Sequence, residues 1–160
     1  MNLTVVVMTA AIGSVLVPCV TAAQEPVSCG PQGLKHTVVK HQGERPVPSP
    51  AEGRAMIVVI VGGSFYKSYQ TKLAVNGEWR AVMNENQYSF FEVDPGAVRL
   101  CWAQRAGKRD DNFLLLTARA GQTYYIRGTT VRGISEVEPA EGQKLLRKKT
   151  YVTFEVRDEG

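Results

Sequence analysis

The chain has 160 residues, a formal net charge of +4, three cysteines and two histidines. That length suits one domain. The basic residues are scattered apart from the run Arg147-Lys148-Lys149, which excludes the dense cationic face of a nucleic-acid binder, and without a CxxC, HxxxH or HExxH pattern there is no metal site or cofactor to expect.

The first 24 residues carry no charged side chain, and the apolar run Leu3 to Val17 is followed by small residues. This is the layout of a secretory signal peptide, with cleavage after Ala23 leaving about 137 residues. A retained membrane anchor is disfavoured, since Gly13, Ser14 and Pro18 interrupt a run that must reach about 18 apolar residues to span. The alternative processing is lipidation at Cys19, although Pro18 stands where a small residue is expected before a lipid-acceptor cysteine. The chain is then periplasmic or secreted, and touches a membrane only if it is lipidated at Cys19 or keeps its signal.

Residues 24–53 read as an extended N-terminal arm. The prolines of "ERPVPSPAEG" oppose a helix, and "KHTVVKH" supplies at most one short strand. His36 and His41, five apart, face opposite sides of such a strand and read as surface histidines. Cleavage at Ala23 leaves two cysteines, Cys29 and Cys101. An even count in an exported chain points to a disulfide that staples the arm to a strand, with two free buried thiols as the alternative. A nucleophilic Cys101 would need a base, and the only histidines lie in the arm.

From Arg54 the pattern is β. "AMIVVIV" (55–61) is a continuous apolar run, the mark of a strand buried on both faces. In "TKLAVNGEWRAVM" (71–83) Asn76-Gly77 predicts a tight type I′ hairpin turn. "QYSFFEV" (87–93) and "AVRLCWAQ" (97–104) flank the turn Asp94-Pro95-Gly96. Alternation puts Val98, Leu100 and Trp102 on one face of the second strand and Cys101 on the other, toward the arm. "FLLLTAR" (113–119) and "TYYIRGTTV" (123–131) form another hairpin, "GISEVEP" (133–139) a short strand, "AEGQKLLRKK" (140–149) the one helix, and "TYVTFEV" (150–156) a last strand or an ordered tail. The fold expected is an all-β antiparallel sandwich of about seven or eight short strands with one short C-terminal helix, spanning residues 54–156.

Four pieces in order, "AEGRAMIVVIV", "LAVNGEWRAVMNENQYSFFEVDPGAVRL", "LTARAGQTYYIRG" and "EVEPAEGQKLL", resemble the bacterial family catalogued as domain of unknown function 2846 over residues 51–149. Where many members of that family have a histidine, this chain has Val98-Arg99. The resemblance implies an exported, often lipid-anchored β-sandwich protein and lends no catalytic residues.

The residues themselves offer few chemical constellations. Asp110-Asp111 sit in a polar loop, and Glu136 and Glu138 share one strand face, where paired carboxylates are usually only solvated. Ser64 lacks both a GxSxG context and a following helix. The aromatic residues Phe65, Tyr66 and Tyr69 in a loop, and Trp79 just past a hairpin tip, are candidate contacts for sugar rings or a protein partner. Trp102 and one of Tyr124 and Tyr125 are expected in the core. The function expected is a non-catalytic, exported envelope accessory or binding module, with an envelope protein or cell-wall glycan as partner. A carbohydrate-binding module using the exposed aromatics is the first alternative, and an envelope hydrolase is disfavoured.

Overall fold

A computed structural model of the chain describes residues 29–31, 33, 35–44, 46–63, 70–104, 112–129 and 132–157. The expected signal segment, Cys19, Ser64, Phe65, Tyr66, Tyr69 and Asp110-Asp111 lie outside the described residues. The described chain forms strands β1 (His36–His41), β2 (Ala55–Val61), β3 (Thr71–Val75), β4 (Glu78–Met83), β5 (Gln87–Val93), β6 (Gly96–Gln104), β7 (Asn112–Ala118), β8 (Thr123–Thr129), β9 (Gly133–Val137) and β10 (Thr150–Val156), with helix α1 (Pro139–Leu146) before the last.

The strands make two sheets, an all-β sandwich. The larger has the order β1-β10-β5-β2-β8-β9 and the smaller β4-β3-β6-β7. Most pairings are antiparallel, as expected, but β10 with β5 and β2 with β8 run parallel. The strand count exceeds seven or eight because β1, inside the arm, and β10, the strand-or-tail, are both full members of the larger sheet. The helix ends at Leu146, earlier than the sequence suggested, because residues 147–149 turn the chain back to the sheet edge.

Strand β2 organises the sandwich. All seven of its residues are buried. Ala55, Ile57, Val59 and Val61 face the smaller sheet, in a core shared with Leu73, Met83, Leu100, Trp102 and Ile126. Met56, Val58 and Ile60 face outward into a second cluster with Tyr88, Tyr125 and Leu146, under α1. A continuous apolar run therefore marks a strand covered on both sides, by a sheet and by a helix. Glycines permit the closest approaches. A Cβ on Gly142 of α1 would overlap the Tyr125 ring, and one on Gly128 of β8 would overlap the Trp102 indole.

The hairpin expected of 113–119 with 123–131 does not form, because β7 pairs with β6 in the smaller sheet and β8 with β2 and β9 in the larger, whereas the turn at Asn76-Gly77 follows the sequence. Asn76 and Gly77 both have positive φ, 50° and 92°, as a type I′ turn requires. The Asn76 side chain also accepts a hydrogen bond from the Arg99 backbone N–H at 2.8 Å, tying the hairpin tip to β6.

Replacing Gly128 by Ala should destabilise the domain by about 1–3 kcal/mol, because the indole of Trp102 is fully enclosed and cannot move aside. Gly63→Ala, where no atom lies within 4 Å of the added methyl, should leave stability unchanged or slightly raised. Equilibrium denaturation of both variants measures the difference.

Candidate functional site

Among the described residues, the arm junction and one edge of the larger sheet each bring several polar and aromatic side chains together. The first is where the arm crosses the outer face of the smaller sheet. Strand alternation turns Cys101 outward, opposite Leu100 and Trp102, and there it is joined to Cys29 with the Cα atoms 5.2 Å apart. Both cysteines are buried, in a small cluster with Ala74, and Trp79 and Ala103 pack against it. Trp79 is half-buried. Its indole N–H donates to the Pro31 carbonyl at 2.9 Å, Gly30 lies against its ring, and the Lys72 ammonium sits 5.5 Å from the ring centre. The indole is thus built into the junction between arm and sheet, with its one polar donor already used.

The second place is the free edge of the larger sheet. Register fixes a row of outward-facing residues across it: His41 on β1, Tyr151 on β10, Tyr88 on β5, Ile60 on β2 and Arg127 on β8. The aromatic members form a stack. The Tyr151 ring lies 4.8 Å from His41 and 5.0 Å from Phe90, both stacked, and 5.5 Å from Tyr88. The Tyr88 hydroxyl donates to the Pro46 carbonyl, so the arm continues over this face after β1.

At the outer end of the row an open cleft of about 310 Å³ lies between the segment leaving β1 and the segment entering β10. Lys40, His41 and Glu44 line one side, and Lys149 and Thr150 the other. The imidazole is held on three sides. It stacks on Tyr151, shares a 2.9 Å hydrogen bond between Nε2 and Thr153 Oγ1, and turns Nδ1 toward Glu44, 3.9 Å away. The Lys149 ammonium donates to Asn86 Oδ1 at 2.8 Å. Burial lowers its pKa below the ordinary lysine value, the Arg127 guanidinium lowers it further, and Glu85 acts the other way. Burial raises the Tyr151 pKa, and Glu44 adds to the rise, so the hydroxyl keeps its proton at neutral pH. Away from the cleft lining, Nε of Arg127, at the opposite end of the row, and Oε1 of Glu85 are buried with no hydrogen-bond partner among the described residues.

His41 and its fellow His36 are half-buried rather than free on the surface as expected; His36 Nε2 meets Gln70 Oε1 at 3.0 Å. Glu136 and Glu138 are exposed. Trp102 and Tyr125 are buried, as expected. No motif in the sequence marks Lys40, Glu44, Lys149 or Tyr151 as site residues. The alternation of "TYVTFEV" identifies Tyr151 as a face residue, but only the β1–β10 pairing brings it beside His41, 110 positions away along the chain. Among the described residues no three His, Cys, Asp or Glu side chains group as a metal site, and no helix is long and apolar enough to cross a membrane.

No protein-family model, curated protein or solved structure matches the chain.

Two outcomes follow from this geometry. Replacing Cys29 and Cys101 together by Ser opens a loop of 72 residues and should cost about 2–5 kcal/mol, with a shift in indole emission as the arm leaves Trp79; denaturation followed by fluorescence measures both. The Lys149 side chain should titrate below free lysine in an NMR pH series, and Arg127→Gln should move it partway back up. Because the folded value is the lower one, the unfolded chain binds more protons in that window. The Lys149 contribution to stability therefore rises as pH climbs from the lowered value to 10.5 and is flat on either side.

Proposed function

We propose that the chain is an exported, non-catalytic binding module of the cell envelope, of the kind implied by its resemblance to domain of unknown function 2846. It acts in the periplasm or as a secreted protein, or at a membrane surface if Cys19 is lipidated, and its partner is an envelope protein or a cell-wall glycan. The observation that carries export is the Cys29–Cys101 bond, which ties the arm to the sandwich and persists in an oxidising compartment. It agrees with the uncharged, apolar first 24 residues.

The reading as a binding module rests on the edge cleft. The cleft is open, its walls are polar, and two of its side chains are held in place, His41 by the aromatic stack and Lys149 by Asn86. Such a preorganised polar edge suits recognition of a polar polymer or a partner surface. The alternative contact for a glycan, Trp79, offers less, since the arm covers part of its ring and takes its N–H.

The test has two parts. Intact mass of protein recovered from the producing cells should correspond to a chain starting at Gln24 that takes two alkyl groups only after reduction. A start at a lipid-modified Cys19 would move the protein to a membrane surface, and alkylation without reduction would remove the argument for export. Sedimentation with purified, insoluble cell wall should then retain the wild-type protein and lose His41→Ala, with Trp79→Phe retained. Loss in Trp79→Phe alone would shift the contact to the arm junction.

A further inference from the structure

Four strands end the two sheets, β1 and β9 in the larger and β4 and β7 in the smaller. An edge strand presents a row of unpaired backbone groups, and folded chains blunt such edges with charges, prolines, bulges or a covering segment. Strand β1 carries Lys40 beside His41, and β9 carries Glu136. Strand β4 carries Glu78 and Arg80, its pairing with β3 shifts register after Leu73, and the arm lies against it at Trp79. Strand β7 has none of these. Its sequence NFLLLTA holds no charge and no proline, and its register with β6 is unbroken. From Cys29 to Pro31 the arm runs from Cys101 toward Trp79, away from β7. Leu115, at the centre of β7, is 78% exposed, and Phe113 is exposed beside it.

The backbone directions at this edge follow from its neighbours. Arg99 turns both its N–H and its C=O to Asn76, on the β3 side. Its cross-strand neighbour on β7 is Leu115. The two are therefore a non-hydrogen-bonded pair, and Leu115 aims its own N–H and C=O away from β6, off the sheet. Phe113 and Thr117, two residues to either side, aim the same way. The Thr117 carbonyl accordingly accepts the Tyr124 hydroxyl at 3.2 Å from beyond the edge. Among the described residues no backbone group meets Phe113 or Leu115 from that side.

We propose that this edge is taken by the β7 strand of a second copy, paired antiparallel about a two-fold axis through Leu115. Leu115 is the middle residue of the strand, and its outward N–H and C=O let it pair with itself, each copy donating to the Leu115 carbonyl of the other. The same register sets Phe113 against Thr117 of the second copy. On the inner face it sets half-buried Leu114 against buried Leu116 of the second copy, so the apolar layer continues across the joint. Charge selects the same occupant, since an uncharged strand meets its own copy with no charge left unpaired between them. Arg99, which covers the Phe113 ring at 4.5 Å, stays one strand back from the joint. A pairing of single strands is a small interface, at or below the about 1,200 Å² where stable complexes begin, so the expected Kd is on the order of micromolar to hundreds of micromolar. The contact is separate from the edge cleft and does not depend on what the cleft binds.

The experiment uses the folded, disulfide-bonded protein. Sedimentation equilibrium from about 1 µM to about 1 mM should show monomer passing to dimer. Leu115→Lys should weaken the association about tenfold or more, because it places a charge on the joint, whereas Val156→Lys, at an exposed residue of β10, should leave it unchanged. Amide exchange locates the contact. On dilution the Phe113 and Leu115 N–H groups should lose protection, while those of Leu114 and Leu116, which face β6, stay protected and report that each variant is folded. Leu115→Cys should give a disulfide-linked dimer on mild oxidation, since the paired Cα atoms stand about 5.5 Å apart, and Thr117→Cys should not. A monomer throughout the range overturns the proposal. So does a dimer that survives Leu115→Lys in folded protein, or one whose Phe113 and Leu115 exchange ignores dilution. Linking through Thr117→Cys in place of Leu115→Cys overturns the two-fold register.

Discussion

Burial of β2 on both faces is the constraint on which the rest of the molecule depends. A strand with no polar side chain cannot sit at an edge or face water on one side without exposing a row of Val and Ile. Two layers must therefore be found for it. The smaller sheet provides one, packed on Ala55, Ile57, Val59 and Val61. The helix and its neighbours provide the other, over Met56, Val58 and Ile60. Each remaining element can be read as a means of covering one side of this strand. Both strands that flank it are closely fitted, β8 through Gly128 against Trp102 and β5 through the fully buried Tyr88.

Covering the outer side has a price at the sheet edge. Helix α1 is only eight residues long and reaches the β8 and β2 end of the larger sheet, with Gly142 on Tyr125. The opposite end, at β10 and β1, is covered by stacked rings and by the proline-rich segment at Pro46. The cleft opens where this second cover stops. Its polar walls are thus the rim of an apolar layer, and this explains why an imidazole and an ammonium there are partly desolvated while still reached by solvent.

The local features of the fold were legible in the sequence because each rests on neighbours in the chain. The Asn76-Gly77 turn, the two-sided burial of 55–61 and the outward face of Cys101 all follow from short-range rules. The disulfide was legible because Cys29 and Cys101 are the two cysteines that follow the apolar first segment, a count that needs no geometry. Lys149 was hidden because it stood in a charged run that read as the end of a helix, whereas the helix stops at Leu146. His41 was hidden because its ring partner comes from the far end of the chain. The two parallel pairings were equally hidden, since nothing in a strand's own alternation says which way its neighbour runs. Trp79 was legible as an aromatic residue at a hairpin, but its donor is taken by Pro31, in a segment whose path no periodicity describes.

The order of strands also sets the order in which the molecule can assemble. The smaller sheet is made from the hairpins β3–β4 and β6–β7, each joining consecutive strands, with one longer pairing between them. The larger sheet works differently. Strand β10, the last in the chain, lies between β5 and β1, so the first strand has no place in the sheet until the last one has arrived. Both parallel pairings belong to this sheet, and each closes a long stretch of chain before any contact rewards it. The smaller sheet can therefore form early, while the arm joins late and holds β10 in place from outside, as a latch on a door that has already swung shut.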